Sequence, residues 1–174
     1  SGLYAVAFGT LNTASEEGSI AFGQGNQANA IGSTAFGDNN VIPLGATGAV
    51  AFGHQHTIGA GAVYGTVFGF TNTITGQGAT AFGTITTASG LYSTAFGNTS
   101  TASGGQSTAF GAGTVASGTL STAFGNATTA SSLADTAFGS GTLASGGYST
   151  AFGFSSVASG AVSTAFGFDT NALD

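Results

Sequence analysis

One recurring phrase governs what this chain can fold into. A small apolar residue, a phenylalanine and a glycine recur with the Phe at positions 8, 22, 36, 52, 68, 82, 96, 110, 124, 138, 152 and 166. Nine of the eleven spacings are 14 residues; the other two, between Phe36 and Phe68, are 16. A period held over the whole chain marks a repeat architecture, in which each unit buries its apolar side only against its neighbours. Fourteen residues are too few for a repeat that contains a helix, and no helical spacing of apolar residues is present.

The columns of the repeat say what each unit is. Two residues before the Phe stand Val6, Ile20, Thr34, Val50 and then Thr in every later copy. These are β-branched residues, suited to a strand. The residue before the Phe is Ala, or Val67 in one copy, and the residue after it is always Gly. Six residues after the Phe stands an Ala in most copies, as at Ala88 and Ala102, and four after it a polar residue such as Asn26, Asn40, His56, Asn72 or Ser100. Ser-Gly pairs such as Ser89-Gly90 follow as turn residues. Each unit reads strand, Gly, strand, turn. The chain is therefore predicted to be all-β, a parallel β-solenoid of about twelve 14-residue coils, with two strands of about five residues per coil. It reads as a single repeat domain over 1–174, with two-residue insertions in two coils between Phe36 and Phe68 and no caps visible.

Side chains alternate across a strand, so Thr94 and Phe96 share one face while Ser93, Ala95 and Gly97 share the other. A thin coil has room for one large group if the opposite wall is small. The twelve Phe residues are accordingly expected to form an internal core ladder, each ring facing the Ala six residues on, as Phe96 faces Ala102. The Ser-Ala-Gly face is then expected to lie outside, as a flat surface for contact between chains.

Composition narrows the function. The chain has no Lys or Arg, six carboxylates, two His and no Cys. Nothing in it can neutralise phosphates, so nucleic acid is excluded as a partner by the usual electrostatic route. No apolar run approaches the length of a membrane span. The carboxylates Glu16, Glu17, Asp38, Asp135, Asp169 and Asp174 are scattered, and no Ser-His-Asp or paired-acid arrangement is legible, so no enzyme and no cofactor are expected.

Three features stand out as candidate sites. In the expanded coils Asp38 shares a column with His54, and His56 lies two residues on, a weak metal-ligand set that lacks a further donor. An inward His56 would instead join Asn40 and Asn72 in a polar ladder. Tyr4, Tyr64, Tyr92 and Tyr148 share a column near one turn, and Phe70, Phe154 and Phe168 share another near the next; both suit contacts with sugars, partner proteins or neighbouring chains. Asn98-Thr99-Ser100 and Asn126-Ala127-Thr128 fit the acceptor pattern for N-glycosylation, which turn-forming Asn explains equally well.

These phrases resemble the head repeats of YadA-type trimeric autotransporter adhesins. The repeat strand is written AVAFG at 5–9, SIAFG at 19–23 and STAFG in later copies, followed by Gly-x-x-Ser/Thr-x-Ala as in Gly97–Ala102. The resemblance implies a left-handed β-roll, a homotrimer packed by its inner strands, and an extracellular adhesive role at the cell surface. The Phe departs from the aliphatic residue usual in that family, and no neck, coiled-coil stalk or membrane anchor is legible in this segment. The function expected is a rigid head that contacts an extracellular protein or glycan. The alternatives are a filament subunit whose coils stack end to end, and, more remotely, an ice-binding solenoid with Thr ladders.

Overall fold

The computed structural model describes residues 2–173, and every regular element in it is a β-strand. The chain divides into two compact units, one running through Ala88 and the other beginning at Ser89. Each turn of the chain supplies one five-residue strand and one two-residue strand, the second shorter than the sequence suggested.

In the first unit the long strands Val6–Thr10, Ile20–Gln24, Thr34–Asp38, Val50–His54, Thr66–Phe70 and Thr80–Thr84 follow one another in a parallel sheet. Register is kept at every step, with Phe8 on Phe22, Phe22 on Phe36, Phe36 on Phe52, Phe52 on Phe68 and Phe68 on Phe82. The short strands, from Thr13–Ala14 to Thr87–Ala88, form a second parallel sheet. The second unit repeats the scheme from Thr94–Asn98 to Thr164–Phe168 and from Thr101–Ala102 to Asn171–Ala172. The chain is a parallel β-solenoid of about twelve turns. In the two 16-residue coils the extra residues fall in the turns that follow Ile42 and Ile58, so neither shifts the long strands out of register.

The alternation expected of the strands holds, but the face assigned to the inside is reversed. Ala95, Ala109, Ala123, Ala137 and Ala151 are fully buried, and so are Ala102, Ala116, Ala130, Ala144 and Ala158 across the coil. Alanine therefore meets alanine. Ser93, Ser107, Ser121 and Ser149 line the same interior. The ladder Phe8, Phe22, Phe36, Phe52, Phe68, Phe82, Phe96, Phe110, Phe124, Phe138, Phe152 and Phe166 lies on the outer surface, none of it buried. The flat Ser-Ala-Gly face is core, not a surface for contact between chains. The reason is volume. Two sheets joined on one side by a corner of only two residues, such as 99–100 between Asn98 and Thr101, lie too close together to admit a benzyl group, and only methyls, hydroxyls and a few longer side chains fill the gap. Where the inner column is larger, its neighbour shrinks: Ile42, Ile58 and Ile74 are followed by Ala49, Gly65 and Ala79 in place of the serine. A methyl added to Gly65 would lie 2.6 Å from Ile74 Cδ1.

Two backbone features make so tight a circuit possible. The invariant glycine after each Phe has a positive φ, +120° at Gly97 and +131° at Gly111, and a Cβ on Gly111 would lie 1.9 Å from the Gly125 carbonyl oxygen of the next coil. No other residue fits there. Two residues later each coil turns through the left-handed region, at Asn39, Thr71, Thr99 or Ala127 as readily as at Gly25 or Gly113. A second left-handed corner precedes each long strand and carries Tyr4, Tyr64, Tyr92 and Tyr148 in four coils, with φ of 60°, 57°, 53° and 54°.

The polar column four residues after the Phe points inward, and where it carries Asn it joins the coils. Asn26 Nδ2 donates to the Phe22 carbonyl at 3.0 Å and to the Gly37 carbonyl at 2.7 Å, while its Oδ1 accepts from the Asn40 N–H at 3.1 Å. Asn72 makes the equivalent bonds to Phe68, Gly83 and Thr86. These side chains satisfy carbonyls that the glycine conformation leaves without a strand partner.

Candidate functional site

Because the rings face outward, they form the most extensive chemical feature of the surface. In the second unit neighbouring rings from Phe96 to Phe166 lie 4.6 to 4.9 Å apart and within 4° of parallel. In the first unit those from Phe8 to Phe68 lie 4.8 to 5.2 Å apart, and Phe82 tilts by 32° against Phe68. Within the stacked runs each ring covers the faces of its neighbours and leaves its edge exposed; Phe110 is 38% exposed. The spacing follows from the strand repeat, about 4.8 Å in a sheet. Beside the ladder on the same strands stand Val6, Ile20, Thr34 and Val50, then Thr in later coils, so the face is almost uncharged.

The column two residues after the Phe adds a second stack. His54 lies flat on Phe70, with centroids 5.1 Å apart, and Phe154 lies on Phe168 at 5.2 Å. Asp38 Oδ2 accepts from His54 Nδ1 at 2.7 Å, with both side chains half-exposed. The proposed metal set is thereby divided. Asp38 and His54 come together outside, while His56 turns into the core. Its Nδ1 accepts from the Asn72 N–H at 3.1 Å, which places the ring proton on Nε2, 2.9 Å from the Phe52 carbonyl. Burial holds His56 below the ordinary histidine pKa, and the backbone bond to Phe52 acts against that shift. His56 thus takes the place of an asparagine in the inner column. Among the described residues no three His, Asp or Glu side chains gather as a metal cluster would require.

The tyrosines stand on a corner. Tyr64 is 67% exposed, and its ring lies over Gly48 of the preceding coil, where an added Cβ would come within 2.7 Å of Cδ1. Tyr4, Tyr92 and Tyr148 are exposed likewise, and Leu3, Ile31, Leu91, Leu120, Leu133 and Val162 add aliphatic surface to the same corner. Tyr64, Tyr92, Tyr148, Phe70, Phe154 and Phe168 are thus all on the outside. Asn98 and Asn126 are exposed, but the hydroxyl residues of their acceptor patterns, Ser100 and Thr128, are buried. The outward column of the short strands in the second unit reads Thr101, Val115, Thr129, Leu143 and Val157, which is not a regular hydroxyl array.

Sequence reasoning missed Asp135. It occupies the column of inner serines and is fully buried. Its Oδ1 accepts from Gly147 N–H, Ser149 N–H and Ser149 Oγ at 2.9 to 3.0 Å, and its Oδ2 from Ser132 N–H at 2.8 Å. The signal was present as a single Asp in a column otherwise of Ser, Ala or Gly. Glu16 and Glu17 sit on a turn and Asp169 at an exposed corner; Asp174 lies outside the described residues. No helix among the described residues is long and apolar enough to cross a membrane.

A family model described as the YadA head domain repeat (2 copies) matches residues 1–26, 14–40, 75–99, 88–114, 116–142 and 144–170. These segments take in well over half of the chain. The stretch between 40 and 75, which holds both expanded coils, is left unmatched. A comparison with curated proteins found no match.

Proposed function

The chain belongs to the YadA head-repeat family, and on that premise we propose that it is the adhesive head of an extracellular, cell-surface protein, assembled as a homotrimer through its phenylalanine face. One observation carries the reading: a continuous, nearly uncharged stack of aromatic edges lies open on the long-strand sheet. Exposed apolar surface of this extent marks an interaction site. Its repeat of about 4.8 Å also narrows the partner, because few surfaces other than a parallel sheet share that period. A second copy of the chain supplies one. With the Phe faces joined, the Tyr and Leu corners remain on the periphery, where amphipathic aromatic side chains suit contact with an extracellular protein or glycan.

The purified chain is expected to show the mass of three copies by light scattering, with no further growth as concentration rises. Phe110→Ser with Phe124→Ser should reduce that mass while leaving the β-sheet circular dichroism intact. Mass that grows with concentration would favour the end-to-end filament, and a monomer at all concentrations would refute the assembly. Adhesion is tested by retention of coated beads on glycan and matrix-protein surfaces under flow. Tyr64→Ser, Tyr92→Ser and Tyr148→Ser together should lower retention without changing the mass.

A further inference from the structure

A ladder that repeats in every coil is a poor ruler. Each coil offers the same ring at the same height, so two copies displaced by one coil still set ring against ring and lose only the contacts of the coil left over. Register is weakly specified wherever a face is uniform. A chain that assembles at one offset therefore needs features on that face that do not repeat.

We infer that the Asp38–His54–Phe70 column is a register key, which fits a second copy of this chain at one offset and penalises the offsets a coil away. The inference rests on the reading of the phenylalanine face as the contact between chains. Its residues lie on the strands Thr34–Asp38, Val50–His54 and Thr66–Phe70, each two positions beyond a ladder ring. The ladder beside it is Phe36, Phe52 and Phe68, identical from coil to coil; the key column changes at every step, from Gln24 to Asp38, His54, Phe70 and Thr84. Its three members form one fixed block. The 2.7 Å bond from His54 Nδ1 to Asp38 Oδ2 and the stack of His54 on Phe70, 8° from parallel, hold the imidazole from both sides. His54 and Phe70 also fall in the stretch that the family repeat does not match.

The penalty has a physical source. In register, each polar pair meets the same coils of its neighbours and keeps the water it shares with them. A shift of one coil sets the Phe70 edge of one copy beside the Asp38–His54 pair of the next. The apolar ring then strips water from the hydrogen-bonded Asp38–His54 pair and returns no hydrogen bond, which is the cost that discriminates against the wrong partner. A single polar residue sets coiled-coil register in the same way.

The chain contains no cysteine, so single cysteines report register without background. Thr66 and Thr80 stand two residues before the ladder rings of adjacent coils. Disulfide formation needs Cβ atoms within about 4.5 Å, which a shift of one coil does not preserve. With the key intact, Thr66→Cys chains should crosslink with one another, and a mixture of Thr66→Cys and size-tagged Thr80→Cys chains should give no mixed product. In the triple variant Asp38→Thr, His54→Thr, Phe70→Thr the mixed product should rise to a yield comparable with the same-coil product. Mixed product from the chains with the key intact, or none from the triple variant, overturns the inference. So does the absence of any crosslink from a chain of trimeric mass, since the columns beside the ladder would then not meet. A monomeric mass, measured on the same samples, sinks the assembly reading instead.

Discussion

Gly111 and Gly113 belong to one coil, both have positive φ, and substitution by alanine should separate them sharply. At Gly113, φ is +62° and an added Cβ meets nothing within 4 Å. The equivalent corners already carry Thr99 and Ala127 at φ 54° and 52°. Gly113→Ala should therefore cost only the left-handed strain, about 1 kcal/mol. At Gly111, φ is +131° and the Cβ would lie 1.9 Å from the Gly125 carbonyl oxygen and 2.8 Å from its carbon. The backbone strain is at least as large, and the two strands must also part by more than an ångström. The bonds flanking the glycine stretch with them: Thr108 N–H to the Ser121 carbonyl at 2.9 Å, and Ala127 N–H to the Ala112 carbonyl at 2.8 Å. At about 1 kcal/mol for each weakened bond, Gly111→Ala should cost about 3–5 kcal/mol in total. Urea unfolding followed by circular dichroism gives the comparison. Because a solenoid opens locally, amide exchange at Thr108 and Ala127 should accelerate in Gly111→Ala and stay unchanged in Gly113→Ala. Equal costs for the two variants would refute the close approach of successive coils on which the register depends.

Other substitutions test the interior. Asp135→Ala leaves the N–H groups of Gly147, Ser149 and Ser132 without their side-chain acceptor and should destabilise the second unit by about 2–4 kcal/mol in urea titrations, with Asp135→Ser recovering part of the loss. Thr128 Oγ1 is buried and has no hydrogen-bond partner, so Thr128→Val, of nearly equal volume, should stabilise by about 1 kcal/mol, read as a higher denaturation midpoint. Burial lowers the pKa of His56 in the folded chain below the ordinary histidine value of 6.5. The unfolded chain then binds the proton more readily, so this histidine's contribution is present above pH 6.5 and is lost as pH falls through the folded value. The difference in stability between the chain and His56→Asn should change with pH in that window and be flat above it.

The repeat, the strand order, the parallel pairing and the turn glycines were legible because each is a statement about spacing, and spacing survives in sequence. The alternation was legible too: Thr94 with Phe96, Ala95 with Ser93. What spacing does not carry is sign. A period of two assigns residues to two faces without saying which is inside. The usual guide, that large apolar groups go in, chose the ring and was wrong for a coil this thin. The volume that decides the matter is set by the corners. Nothing in Thr99 or Tyr148 announces a left-handed backbone, since such residues adopt it only when the surrounding circuit demands it. The pairing of Asp38 with His54 was predictable from the shared column, but the inward turn of His56 was readable only as one of two possibilities.

The reversal makes sense of the composition. A core of alanine and serine buries little apolar area per residue, and at about 25 cal/mol per Å² it gives each coil only a modest hydrophobic stabilisation. Main-chain pairing supplies the rest along the coil axis, with the inner Asn of the first unit adding to it. A phenylalanine outside adds to this in two stages. Within the chain, each inner ring buries both faces against its neighbours, a stacking contact of about 0.5–1.5 kcal/mol per pair. The edges stay open, and the apolar area that remains is set aside for contact between chains. Folding and assembly thus draw on different parts of one side chain. Replacing a ring should weaken the coil modestly and the assembly strongly, whereas enlarging an inner residue, as in Ala109→Leu, should act through the coil first. Ala109 is fully buried, and overpacking at such a site costs about 1–3 kcal/mol or more. Thermal melts of Phe110→Ala and Ala109→Leu at a dilution that separates the chains should show Ala109→Leu to be the more damaged. The opposite order would return the ring to the core.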